Sequence, residues 1–234
     1  MLKSTLIVFI SFMILFSGCT TKEVVMYDNN QEVPMVSEAE PVVEETPQQV
    51  NQDEILRVAL VQSALKYLNK KDGKDCSGFV HLINTQNNDF YYSSSDLSKF
   101  FTNEHRSKAI YNMMKKEYKL VQDETPKIAD LVFFEDTFQK TKRNKGALNI
   151  THVGIITQID DDGTIHFIHH SRGTNRIDQL NMKYAASQNI SGKNVNSYLK
   201  QCDAKTPKQQ CLSSYFFSSF ATPIQNEHIE LTQK

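Results

Sequence analysis

Asp75-Cys76-Ser77-Gly78-Phe79-Val80 sets an acidic residue and then a cysteine directly ahead of an apolar run. That order marks the start of a helix with Asp75 as its N-cap. Unpaired backbone N–H groups and the positive end of the helix dipole favour an anion there, and such positions lower a cysteine pKa from about 8.5 to between roughly 3.5 and 7.5. The sequence therefore predicts a thiolate at Cys76, the form in which cysteine acts as a nucleophile.

Upstream of this stretch, Asn51-Gln52-Asp53-Glu54 is a capping signal, and Ile55, Val58, Ala59, Gln62, Leu65 and Leu68 follow at helical spacing with one polar interruption. A first helix is predicted to about Asn69, with these residues as its stripe. Lys70 to Lys74 form a polar turn containing Gly73, and a second helix then runs through Phe79, Val80 and Ile83 to about Gln86. Further on, Ser95 or Asp96 can cap a short helix through Leu97, Phe100 and Phe101, and Ala109 to Tyr118 can form another.

After Pro126 the pattern becomes that of strands: Ile128 to Phe134, Thr151 to Thr157, and Thr164 to His169. Asp160-Asp161-Asp162-Gly163 joins the last two as a hairpin turn. Strand alternation puts His152 on one side with Gly154 and Ile156, and His169 on one side with Ile165 and Phe167. Both histidines lean toward an apolar face, where a covering helix is expected. His166 and His170 fall on the opposite strand face and read as solvent-side residues. For His152 and His169, each taken alone, a half-buried, hydrogen-bonded imidazole is a better reading than a catalytic one.

The chain begins with one positive charge, Lys3, and an apolar run from Leu6 to Phe16, followed by Ser17-Gly18-Cys19. The run is shorter than the roughly 20 residues of a membrane span, and small residues before a cysteine mark a cleavage site. Leu15-Phe16-Ser17-Gly18-Cys19 resembles a bacterial lipoprotein box, which implies a signal peptide over 1–18 and a lipid anchor on Cys19. Thr20 rather than Asp after that cysteine points to an outer membrane, facing the periplasm, if the host has one. A plain secretory peptide with an incidental cysteine is the alternative.

Residues 19–50 contain Pro34, Pro41 and Pro47, and from Thr20 to Val50 one basic residue stands against seven acidic ones, a net of −6. They read as an acidic disordered tether, about 100 Å long if fully extended and about 30 Å across as a coil. Residues 51–234 carry 24 basic and 20 acidic residues, a net of +4, which gives no reason to expect nucleic acid as a partner. They are enough for one domain with its own core.

Four segments in order, Asp75 to Val80, Ala129 to Phe134, His152 to Ile155 and Phe167 to His169, resemble the successive motifs of the NlpC-type cell-wall endopeptidases, which are papain-like cysteine peptidases. The likeness covers about Leu56 to Ile224, including a closing apolar strand at Tyr215 to Ile224. It implies an α+β, papain-like fold with N-terminal helices packed on an antiparallel β-sheet. It also implies that Cys76 attacks a peptide carbonyl, that His152 exchanges the proton and that His169 orients His152, with no cofactor. Peptidoglycan stem peptides are the implied substrate, cut at a bond involving D-glutamate and a diamino acid. Asp75 and Ser77 flank the nucleophile as implied substrate contacts. Tyr67 is the nearest match to a family tyrosine, although Asn69-Lys70-Lys71-Asp72-Gly73 stands where an aromatic, glycine-rich segment is usual. Ala129 replaces a usual Gly, and the Lys- and Arg-containing segment Glu135 to Ile150 is longer than usual; it reads as a cleft wall or as a solvated hairpin.

With Cys19 acylated and Cys76 used for chemistry, Cys202 and Cys211 are the natural pair for a disulfide in an exported protein, although two reduced thiols fit as well. No ligand spacing suggests a metal: His166, His169 and His170 lack accompanying carboxylates or cysteines. Two other functions remain open, a wall-binding scaffold with a degenerate site, and an amidase or acyltransferase acting on another amide or ester.

Overall fold

The structure is a computed structural model that describes residues 52–223, apart from 102–104, 118, 122–124 and 140–141. The expected signal peptide, Cys19 and the tether lie outside the described residues. Helix α1 spans Gln52–Leu65, α2 Cys76–Gln86, a 3-10 turn Leu97–Phe100 and α3 Arg106–Lys116. The strands β1 (Leu120–Val121), β2 (Leu131–Glu135), β3 (Ile150–Ile159), β4 (Ile165–Ser171) and β5 (Thr174–Leu180) follow. A two-stranded ribbon, β6 (Asn189–Ile190) with β7 (Lys193–Asn194), precedes a second 3-10 turn at Lys208–Cys211, the short α4 (Ser213–Phe216) and β8 (Phe217–Ala221). The protein is thus α+β, with a six-stranded antiparallel sheet in the order β1-β8-β2-β3-β4-β5.

The sheet is covered on both faces. Leu131, Phe133, Val153, Ile155 and Ile168 pack with Phe79, Val80, Ile83, Ile110 and Met114 on the helical side. Val132, Phe134, Ile156, Ile165, Phe167 and Leu180 pack with Phe216 on the other. Burial of both faces is why β2 reads as an unbroken apolar run rather than an alternating one.

The inner face of α1 differs from the predicted stripe. Arg57, Leu60, Val61 and Ala64 are buried, while Ile55 and Val58 are 47% and 42% exposed. The reason is an ion pair between distant parts of the chain. The Arg57 guanidinium donates through Nη1 to Asp130 Oδ1 (2.6 Å) and the Ile128 carbonyl (2.9 Å), through Nη2 to Thr222 Oγ1 (2.7 Å), and through Nε to Asp53 (2.9 Å). A buried, fully hydrogen-bonded arginine turns the helix about its axis relative to what an apolar count alone indicates. The helix also ends at Leu65, earlier than expected, and Asn69 takes a left-handed conformation (φ 63°).

The predicted closing strand is β8, shorter than expected because Tyr215 and Phe216 belong to α4. Helix α3 begins three residues ahead of the predicted Ala109, at Arg106. Strand β5 was not apparent in the sequence at all. Cys202 and Cys211 are joined by a disulfide, with Cα atoms 5.8 Å apart.

Candidate active site

Helix α2 opens as the Asp75 signal indicates. Asp75 is extended (φ −145°, ψ 178°), and its Oδ1 accepts from the Gly78 N–H at 2.7 Å and from Ser77 Oγ at 2.8 Å. The turn before it is tight: a Cβ on Gly78 would lie 2.0 Å from the Gly73 carbonyl oxygen, so only glycine fits there. This crossing brings Cys76 against the start of β3, where its thiol donates to the Thr151 carbonyl over 3.9 Å.

The position does not leave a thiolate at rest. Burial pushes the Cys76 thiol up to about 12; the Val153 N–H opposes this, the nearby Asp75 charge adds to it, and the Ser77 and Cys76 N–H groups oppose it. The predicted depression rests on the helix terminus alone. Packing against β3 removes water from the sulfur, and loss of solvent outweighs the backbone dipoles.

His152 and His169 meet side by side. His152 Nε2 and His169 Nδ1 are 2.5 Å apart, and His169 Nε2 is 3.0 Å from Asp178 Oδ2. Gly154 makes room for this contact, since a Cβ there would lie 2.8 Å from the Phe167 ring and 3.3 Å from the His169 Cβ. The hydrogen-bond network assigns the tautomers. An ionised carboxylate only accepts, so His169 carries its proton on Nε2 and presents a lone pair at Nδ1. His152 must then donate from Nε2, which leaves His152 Nδ1 as the basic atom.

Burial, followed by the neighbouring His169 and His170, holds His152 well below the ordinary imidazole value, so it rests neutral. Burial pushes the Asp178 carboxyl up, but the His169 N–H and the Arg176 charge outweigh it and hold the carboxyl below its usual range. Asp178 had no signal in the sequence. It lies on β5, whose Thr174-Asn175-Arg176-Ile177-Asp178-Gln179-Leu180 shows no clear apolar alternation.

The histidine face also differs from expectation. Helices α2 and α3 pack on the Val153 and Ile155 side, whereas His152 and His169 sit with Phe134 and Phe167 on the other side of the sheet. The covering element there is the α4 region through Phe216. His170, expected in solvent, is only 8% exposed, with Nδ1 2.9 Å from Asn175 Oδ1. His170 keeps the strand register and falls on the Ile168 side of β4, the side that α2 covers, where it lines the cleft beside Cys76.

Cys76 and His152 line one cleft of ≈ 400 Å³, together with His170, Asp75, Thr137 and Phe138. Thr137 and Phe138 come from the long segment after β2, so that segment is a wall of the cleft rather than a free hairpin. Ser77 is buried and its hydroxyl is committed to Asp75. Tyr67 does not line the cleft; its hydroxyl accepts from Gln86 Nε2 at 2.6 Å and its ring meets Phe79 edge-on. Among the described residues, no group of three or more His, Cys, Asp and Glu side chains is placed to hold a metal ion. Among the same residues, no helix is long and apolar enough to cross a membrane.

No protein-family model, no curated protein and no solved structure matches this chain.

Proposed function

We propose that the chain is a papain-like cysteine peptidase that hydrolyses peptidoglycan stem peptides, exported and held to the cell envelope by a lipid on Cys19. The observation that carries this reading is the hydrogen-bonded series His152, His169, Asp178, whose first member shares a cleft with Cys76. Nucleophile, base and orienting group are what acyl transfer through a covalent intermediate requires.

Because thiol and imidazole both rest neutral, activation occurs during attack. Cys76 gives its proton to His152 Nδ1 as sulfur adds to the substrate carbonyl. The oxyanion draws on backbone N–H groups at the start of α2. His152 then protonates the leaving amine, the C–N bond breaks, and a thioester remains on Cys76. Water, deprotonated by His152, cleaves the thioester and restores the thiol. His169, held by Asp178, keeps the His152 ring in register and supports its positive charge.

A second reading is favoured by one observation: a thiol pushed up to about 12 is a poor nucleophile unless the base engages it. On that reading the domain is a wall-binding scaffold with an inert cysteine. The full chain incubated with purified peptidoglycan distinguishes the two. Release of shortened stem peptides, seen by mass spectrometry and lost in Cys76→Ala, supports the peptidase. Equal release by that variant, or none by the parent, removes it. Amide or ester products of another kind in the same digest would point to an amidase or acyltransferase.

A further inference from the structure

The cleft around Cys76 is also lined by Lys74 and Arg172, and both hold a left-handed backbone, φ 68° and φ 53°. Side chains other than Gly, Asn and Asp rarely adopt that conformation, and retaining one there costs on the order of 1 kcal/mol. Nine non-glycine residues have positive φ among those described, and four of them are Asn or Asp. Of the remaining five, the two that carry charge are these two cations at the cleft.

Arg172 is the clearer case. Ser171 pairs with Thr174, so Arg172 and Gly173 are the two central residues of the β4–β5 hairpin, with φ 53° and 82°. Two positive φ values define a type I′ turn, whose preferred sequence is Asn-Gly or Asp-Gly. Arginine at the first position gives up turn stability and puts a cation in the lining of the cleft that holds the nucleophile. Its Nη2 donates to the Tyr198 carbonyl at 3.2 Å, which steers the side chain. Lys74 similarly follows Gly73 and precedes the cap residue, where asparagine or glycine is the less strained choice.

Charge around the cleft is one-sided. Among the described residues, the only carboxylate that lines it belongs to Asp75, whose Oδ1 is engaged by Ser77 and Gly78. We propose that Lys74 and Arg172 form an anion clamp that selects substrates bearing a free carboxylate beside the scissile amide. The chain holds both cations at positions where other residues would be more stable. This inference rests on the reading of the Cys76 cleft as the hydrolytic site, and adds to it the residues that select the substrate.

The experiment compares L-alanyl-γ-D-glutamyl-L-lysinamide, whose glutamyl carboxylate is the one free carboxylate, with the same peptide carrying that carboxylate as an amide. Binding is measured by calorimetry on full-length Cys76→Ala, so that hydrolysis plays no part. The acid is expected to bind at least about 10-fold more tightly than the amide, a difference of about 1.4 kcal/mol. Adding Arg172→Asn or Lys74→Asn should each remove most of that preference while raising the melting temperature by about 1–4 °C. A purely structural role for either residue would not couple a gain in stability to a loss of selectivity. Equal binding of acid and amide, binding of neither, or Asn variants that keep the preference would overturn the proposal. The peptidase reading fails separately: selective binding with no hydrolysis by the parent removes that reading and leaves the clamp, and equal hydrolysis of both peptides does the reverse.

Discussion

Asp178 Oδ2 lies 3.0 Å from His169 Nε2, on a strand that shows little in the sequence, and this contact decides which nitrogen of His152 can act as a base. A carboxylate at that point is a positioning group, since it acts through His169 without reaching the cleft.

Asp178→Asn retains the shape but permits the opposite His169 tautomer. Turnover on stem peptides is expected to fall by about 10²-fold or more, with KM little changed, as when the orienting member of such a series loses its charge. Asp178→Glu should restore part of the rate. The ¹⁵N shifts of the His169 ring report the tautomer directly, and a wild-type pattern in Asp178→Asn would refute the assignment.

The two neutral resting groups give stability an opposite dependence on each side of neutrality. Unfolded, His152 binds a proton near pH 6.5; folded, it resists protonation because of burial and of His169. The unfolded state thus holds more protons as pH falls below about 6.5, and stability declines with a slope of up to about 1.4 kcal/mol per pH unit. His152→Gln should flatten that acid limb. On the alkaline side, the unfolded Cys76 thiol ionises near 9.0 while the folded one holds its proton to about 12. Stability contributed by the buried thiol is complete below pH 9 and is lost as pH rises toward 12, a decline that Cys76→Ala should reduce. Urea midpoints across the pH range check both limbs.

Arg57 and Asp130 are joined across 73 positions of sequence, both buried. Arg57→Ala strands a buried carboxylate and is expected to cost about 3–5 kcal/mol of stability. Arg57→Met combined with Asp130→Leu should recover much of that loss, because neither charge is then left alone. Chemical denaturation of the single and paired variants tests the coupling.

The Cys202–Cys211 bridge closes a short loop, with a sequence separation of 9. In the chain-entropy account it contributes about 2–3 kcal/mol. Replacing both cysteines with alanine should lower the melting temperature by an amount that a reducing agent reproduces in the parent and does not add to in the variant.

What the sequence revealed and what it hid have separate physical causes. The start of α2 is legible because a glycine turn, an N-cap and an apolar run act within eight residues, from Gly73 to Val80. The β3–β4 hairpin is legible because Asp162-Gly163 and strand alternation fix it locally. Asp178 is hidden because β5 is held mainly by pairing with β4, through Ile168↔Ile177 and its neighbours, and not by its own pattern. The α1 face is misread because Arg57 counts as polar until Asp130 arrives from far along the chain. The thiol is misjudged for the same reason: its helix dipole is local, but the strand backbone that excludes water from it belongs to residues 151–153.

The central claim, that Cys76 forms a covalent intermediate under control of His152, is tested most directly by rapid acid quenching during digestion of a stem peptide. Intact-mass and peptide-mapping spectrometry should find an acyl adduct on Cys76 in the parent, and none in His152→Gln. Product formation with no adduct on Cys76, or undiminished adduct in His152→Gln, would contradict the account.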